Sequence, residues 1–294
     1  MASHYLSHIE LNSLDIFGYS MAGEETVVAM PQLNVCFDIG KAPDQTISIP
    51  HVLLTHGHMD HAAGIAYYLS HRNFDGQSPG TVLIPHNLLP HLEQILMAWG
   101  KMDGNHIPAE LVGVEPGDEF QLKANLFARV FATNHCHGSV GYTVVERRKK
   151  LKPEYRKLTG PQIVELKKQG VEFEFQLEIP LVTYLGDTCC GAFMQLEHVA
   201  QSKILITECT FYDQDHVQRA QAGKHIHVND LARMLDTLDN EHVVITHTTQ
   251  RTGIGQVKRS LRETLSPEAL SKVRLLMDDY RRAPLDRRPT ARKT

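Results

Sequence analysis

Aromatic side chains are scarce in this chain of 294 residues, at 7% with a single tryptophan. The five cysteines, Cys36, Cys136, Cys189, Cys190 and Cys209, include no CxxC pair. That absence argues against both a disulfide frame and a structural zinc knuckle. No apolar run reaches the roughly 18 residues of a membrane span. The opening Met1-Ala2-Ser3-His4-Tyr5 lacks the basic-then-apolar order of a signal peptide. These absences predict a cytoplasmic protein with no membrane partner. An excess of one charge is missing too, since the formal net charge is −4, so any affinity for nucleic acid has to come from a local footprint. What the chain does have is 42% hydrophobic residues, enough length for one sizeable α/β domain, and 18 histidines.

Three of those histidines are crowded into His56-Gly57-His58-Met59-Asp60-His61, directly after the apolar run His51-Val52-Leu53-Leu54-Thr55 and before a small-residue segment of helical character. The ligands are thereby predicted to lie on a strand-to-helix turn at the carboxyl edge of a sheet, where open α/β folds place their chemistry. In an HExxH helix two histidines four residues apart bind one ion. Here His56 and His58 are two apart, as on an extended backbone, and Asp60 and His61 re-aim as the helix begins. One pair can serve one divalent ion and the other pair a second, which suits water activation and in-line attack on a phosphoryl or acyl centre. The competing reading is a histidine-rich surface turn.

Apolar runs at 26–30, 33–38, 51–55, 81–85, 126–132, 140–145, 179–186, 203–207 and 242–246 predict strands. Helices are expected near 61–71, 87–100, 161–169, 191–200, 228–238 and 255–264. Mixed strand pairs with crossover helices predict two sheets with helices outside, an αββα sandwich of the α/β class. No internal repeat is visible.

The HxHxDH run after an apolar strand resembles the metallo-β-lactamase superfamily. Three later islands narrow the resemblance to ribonuclease Z, the tRNA 3′-end endonucleases: Thr133-Asn134-His135 with Gly141-Tyr142, Tyr184-Leu185-Gly186-Asp187-Thr188, and Val243 through Thr246-His247-Thr248-Thr249-Gln250-Arg251. The likeness covers about residues 8–262 and is closest to the short, plant-like form. It implies two zinc ions, with manganese or iron as alternatives. His56, His58 and His135 would hold the first ion, and Asp60, His61 and His247 the second, with Asp187 bridging. Asp60 is also the catalytic carboxylate this resemblance implies. His137 is the rival to His135, and the six-residue step from His135 to Gly141 favours His135. Asp38, in Cys36-Phe37-Asp38-Ile39-Gly40, would orient a ligand histidine through its second nitrogen.

Expelling a ribose oxygen needs a proton donor. The resemblance implies a Glu–His dyad, Glu208 after the strand 203–207 and a histidine from Lys224-His225-Ile226-His227. His225 is expected in that role, and His227 beside an N-cap Asn229. Cys136 and Cys189 neighbour expected ligands and are read as packing residues.

From Arg147 to Lys168 nine basic residues stand against two acidic ones, inserted where ribonuclease Z enzymes carry their tRNA-gripping arm. Arg148, Lys149, Lys150, Lys152, Lys167 and Lys168 are the candidate phosphate contacts. The organisation expected is one domain over 1–278 with this insert at about 147–170, then a basic disordered tail at 279–294. The fifth motif departs from the commonest pattern, reading Thr248-Thr249 after His247 and ending in Thr252. The Gly-rich loop with an Arg-Asn pair found in bacterial forms is missing. The function implied is removal of the 3′ trailer from precursor tRNA by a homodimer. The alternatives are a small-molecule hydrolase of cyclic phosphodiesterase, lactonase or arylsulfatase type, and a non-catalytic RNA-binding protein.

Overall fold

The computed structural model describes residues 5–278, so the expected basic tail at 279–294 lies outside the described residues. The first sheet takes its seven strands in chain order: β1 (Ser7–Leu11), β2 (Leu14–Met21), β3 (Glu25–Met30), β4 (Val35–Phe37), β5 (His51–Leu53), β6 (Gly80–Pro85) and β7 (Ala109–Val114). The second does the same with β8 (Glu119–Lys123), β9 (Leu126–Ala132), β10 (Val140–Leu151), β11 (Glu174–Tyr184), β12 (Ile204–Glu208), β13 (His242–Thr246) and β14 (Val273–Leu275). In each sheet three antiparallel pairings are followed by three parallel ones. The fold is thus duplicated although no repeat is visible in the sequence, because strand order and direction demand only the apolar pattern and not particular residues.

The parallel steps require crossovers, and these supply the outer helices, among them Ile65–Phe74, Leu89–Asp103, Val228–Leu235 and Ile254–Thr264. Side-chain alternation sorts the layers. On β12 and β13, Ile204, Ile206 and Val244 join the core between the sheets, while Leu205, Val243 and Ile245 pack beneath the helices with Leu231, Val257 and Leu261. The expected αββα sandwich is the fold observed.

The expected helix at 61–71 is two helices, Met59–Ala62 and Ile65–Phe74. The break falls at Gly64, where a Cβ would meet the backbone nitrogen of Ala42 at 2.4 Å, so no larger residue fits. The strand expected at 140–145 runs on to Leu151, and its partner starts at Glu174 rather than 179. β9 stops pairing with β10 at Glu146, whereas β10 and β11 stay paired as far as Leu151 and Glu174. Beyond Glu146 the basic insert is therefore a two-stranded ribbon carrying the helix Gly160–Lys168 at its end. On the outgoing strand Glu146 through Lys150 offers no apolar alternation, which is why the sequence pattern ended early there. The return strand does alternate, with Phe175, Leu177 and Ile179 between Glu174, Gln176 and Glu178.

The root of this arm is held by charge. Arg129 and Arg147 share Glu119 and Glu178 at 2.6–3.1 Å, and the Arg147 guanidinium lies over the Phe127 ring at 4.0 Å. The return strand also changes the arm's charge. Glu172, Glu174 and Glu178 join Glu154 and Glu165 against the nine basic residues. Arg148 pairs with Glu146 at 2.7 Å and Lys152 with Glu172 at 3.1 Å. Among the described residues no carboxylate lies in ion-pair reach of Lys149, Lys150, Lys167 or Lys168.

Candidate metal centre

The chemistry-bearing side chains converge at the carboxyl edge of the two sheets. Asp38 follows β4, the His56–His61 run follows β5, Asp187 follows β11, Glu208 ends β12 and His247 follows β13. His135 joins them from the loop after β9. Two of these turns need unusual backbone: Asp38 has φ 51° and His247 φ 55°, in the left-handed region that Asp and His tolerate better than most residues. Each turn rotates its side chain off the strand axis and into the space between the sheets' edges.

Asp187 is the centre of the assembly. Its Oδ2 lies 3.9 Å from His56 Nε2, 3.4 Å from His61 Nε2, 3.8 Å from His135 Nε2 and 3.3 Å from His247 Nε2. On one side His58 Nδ1 stands 3.0 Å from His56 Nε2 and 3.2 Å from His135 Nε2. On the other, Asp60 Oδ2 is 3.8 Å from His61 Nε2 and 3.6 Å from His247 Nε2. Two groups result, His56, His58, His135 with Asp187, and Asp60, His61, His247; Asp187 and His247 also make a third with His225, and within each the ligand atoms lie within 4.8 Å of one another. His61 Nε2 and His247 Nε2 are buried and have no hydrogen-bond partner among the described residues. Buried polar atoms are otherwise almost always satisfied, so this donor set fits divalent cations.

The far nitrogens of these rings are fixed. His61 Nδ1 meets Asp38 Oδ2 at 2.7 Å, His56 Nδ1 meets Thr55 Oγ1 at 2.9 Å, His247 Nδ1 meets Thr210 Oγ1 at 2.9 Å, and His135 Nδ1 is 3.4 Å from the Lys224 carbonyl. Fully buried Asp38 also accepts from Thr55 N at 2.8 Å and from the Tyr184 hydroxyl at 2.8 Å. Gly23 N donates to Asp60 Oδ2 at 2.8 Å.

Burial sets the protonation of the rings, and the carboxylates modify it. Burial, helped by the neighbouring His61, holds His56 well below the usual imidazole range. His135 is lowered, again chiefly by burial. Burial would likewise lower His61, but Asp187 and Asp38 outweigh it and raise that ring well above its ordinary value. Burial would lift Asp187, yet the charges of His247 and His61 pull it well below the carboxylate range. Asp187 is thus held as an anion among the imidazoles.

Beside this cluster, His225 Nδ1 lies 2.8 Å from Glu208 Oε1. Burial lowers the His225 imidazolium, but the hydrogen bond and charge of Glu208 win and raise it to about 8. His227 faces elsewhere: its Nε2 is 3.0 Å from the Asp213 carbonyl and its Nδ1 accepts from Asn229 N at 3.2 Å. His227 is itself the N-cap of Val228–Leu235, so the cap expected at Asn229 lies later in the chain than the real one. His137 is exposed and belongs to neither ligand group. Cys189 is tied to Asn134 at 3.0 Å, and none of the cysteines enters the ligand groups.

The sequence pattern did not point to the threonines. Thr55, Thr188 and Thr210 each lie within two residues of an expected site residue, which was the available signal. Thr188 N donates to Glu208 Oε1 at 2.8 Å, and its hydroxyl accepts from Asn134 N at 2.9 Å.

Two seven-stranded mixed sheets with a histidine and aspartate cluster at their shared edge define a metallo-β-lactamase-type protein. A family model described as "Beta-lactamase superfamily domain" matches residues 28–248. A chloroplastic tRNase Z of Arabidopsis thaliana is 30% identical over 276 residues, 93% of this chain and 78% of its own length. A second Arabidopsis thaliana tRNase Z is 30% identical over 253 residues, covering 85% and 90% of the two chains. The crystal structure of human tRNase Z, short form, superposes with a TM-score of 0.56 at 17% identity, covering 80% of this chain and 92% of that one. The chain belongs to the metallo-β-lactamase superfamily and, within it, is homologous to the tRNase Z (ribonuclease Z) enzymes. No helix among the described residues is long and apolar enough to cross a membrane.

Proposed function

We propose that this protein is a dinuclear metal phosphodiesterase that removes the 3′ trailer of precursor tRNA and leaves a 3′-hydroxyl. The observation that carries the reading is the Asp187 carboxylate set among four imidazole nitrogens at 3.3–3.9 Å, with the His225–Glu208 dyad alongside. His56, His58 and His135 would hold one ion, Asp60, His61 and His247 the other, and Asp187 both; imidazole and carboxylate donors suit zinc, with manganese or iron also matched. Two such ions supply an activated water and a charge clamp on the phosphoryl oxygens. Asp60, anchored by Gly23 N, and Asp187 keep that pocket anionic. His225, oriented by Glu208, protonates the departing ribose oxygen. Asp38 holds His61 by its far nitrogen. His135 and His225 take these roles in preference to His137 and His227, which face away.

The reading takes 1–278 as one catalytic domain with an arm at about 147–170, working in the cytoplasm as a homodimer. Its cysteines, all unpaired, accord with a reducing compartment. The arm's candidate phosphate contacts are Arg148, Lys149, Lys150, Lys152, Lys167 and Lys168. Four of these, Lys149, Lys150, Lys167 and Lys168, have no carboxylate in ion-pair reach among the described residues. Replacing those four with glutamine is expected to raise KM for precursor tRNA, and to flatten the fall of affinity with salt by roughly one counterion for each lysine neutralised. Turnover of a small phosphodiester should not change. Steady-state kinetics across a salt series checks both.

The direct test is cleavage of a 3′-extended precursor tRNA by the zinc-loaded protein, with Asp60→Ala beside it. A single cut after the discriminator base, absent in the variant, supports the proposal. Hydrolysis of an activated phosphodiester without any RNA cut favours instead a small-molecule hydrolase. The five carboxylates on the arm, which offset much of its positive charge, are the observation on that side.

A further inference from the structure

Thr210 is not among the residues that any of the roles above requires, yet it touches both halves of the site. Its hydroxyl lies 2.5 Å from Glu208 Oε2, 2.9 Å from His247 Nδ1 and 3.1 Å from the His247 carbonyl, all buried. We infer that Thr210 is a positioning residue shared by the metal-facing His247 and the proton donor His225, fixing the tautomer of one and the carboxylate that orients the other. The inference rests on the roles proposed above for these two histidines.

Counting protons makes the case. Ionised Glu208 can only accept. Its Oε1 already takes Thr188 N and His225 Nδ1, each at 2.8 Å, and its Oε2 takes Ile226 N at 3.2 Å. The remaining short approach is from the Thr210 hydroxyl. That hydroxyl has one proton and three acceptors to choose from, the Glu208 carboxylate, the His247 carbonyl and, in the tautomer that leaves it bare, His247 Nδ1. The charged and closer acceptor wins, since hydrogen bonds to ionised groups are shorter and about twice as strong.

With its proton committed to Glu208, Thr210 Oγ1 can only accept from His247. His247 must then carry its proton on Nδ1, which leaves the Nε2 lone pair facing Asp187 Oδ2 at 3.3 Å and Asp60 Oδ2 at 3.6 Å. This is the tautomer a cation needs. The opposite tautomer would aim a proton into the ligand cluster. It would also draw the Thr210 proton away from Glu208 and leave Oε2 of the carboxylate that aims His225 with only the longer contact from Ile226 N at 3.2 Å. A continuous chain, His225 to Glu208 to Thr210 to His247, therefore ties the two functions, and the near-parallel stacking of the two end rings at 5.3 Å keeps it short.

The experiment compares Thr210→Val, which keeps shape and loses the hydroxyl, with Thr210→Ser, which keeps the hydroxyl. Zinc affinity is read by chelator competition. Turnover is read on precursor tRNA and on bis(p-nitrophenyl) phosphate, whose leaving group needs no proton. The Val variant is expected to lose about 10–100-fold in affinity at the weaker zinc site, the scale seen on removing such a partner. At saturating zinc it should regain turnover of the activated ester but not of RNA, and the Ser variant should restore both. Wild-type zinc affinity in Thr210→Val, or failure of Ser to rescue, overturns the inference. If the unaltered protein cuts no RNA, the substrate assignment fails, while zinc affinity in the two variants still decides the role of Thr210. Should the Val variant not fold, nitrogen NMR of the His247 ring in the metal-free wild type decides. A proton on Nδ1 is required, and one on Nε2 overturns the inference.

Discussion

Asp187→Asn is expected to lower bound zinc from two ions per chain to one or none and to cut phosphodiester hydrolysis by about 10²–10³-fold, the scale on which removal of one electrostatic stabiliser acts. The substitution preserves shape and removes a single charge. In the wild type, four imidazole nitrogens face Asp187 Oδ2 at 3.3–3.9 Å. A neutral amide there offers either a weaker oxygen or an N–H directed at lone pairs, so the two ligand groups lose the anion they share. Two positive ions side by side would then repel with only Asp60 to offset them. Metal analysis of the purified variant, set beside its turnover of bis(p-nitrophenyl) phosphate, checks the expectation. Two tightly held ions with wild-type turnover would remove Asp187 from the bridging role.

His225→Ala should separate metal binding from proton donation. Zinc content should be unchanged, because the proposed ligand groups are complete without His225. Cleavage of precursor tRNA should fall by about 10²–10⁴-fold, the usual worth of a general acid, while the activated ester with its good leaving group should be affected far less. The pH profile carries the sign. Glu208 outweighs burial and raises His225 to about 8, so the donor is protonated through neutral pH and loses its proton as pH rises through about 8. RNA cleavage is expected to decline above that pH with a slope the ester does not share, and the variant should lack that limb. His227→Ala is the control: its ring caps a helix and bonds to the Asp213 carbonyl, so it should lower stability and leave the limb in place. If His227→Ala instead abolishes cleavage with zinc retained, the dyad has been assigned to the wrong histidine.

The sandwich class was legible because its parallel strands are buried on both faces and read as short apolar runs, as at 81–85 and 242–246. The edge and ribbon strands were harder. β14 has three residues, too few for a pattern, and the outer part of β10 is wet on both sides. The arm's charge balance depends on pairing for a related reason. A window ending at Lys168 could not know that the return strand would lay Glu174 opposite Leu151 and Glu178 opposite Arg147.

By itself the sequence determined where a cluster of metal-capable side chains would start, because His56 to His61 are contiguous and the turn after an apolar strand leaves them few directions to point. The tertiary structure decided the rest. It brought Asp187 and His247 onto that run from more than a hundred residues away, gave His225 rather than His227 the Glu208 carboxylate, and set the Thr210 hydroxyl between Glu208 and His247. A ligand's identity is written in its side chain, but a hydroxyl's role depends on which groups face it. Those groups come from strands that meet only once the two sheets have formed.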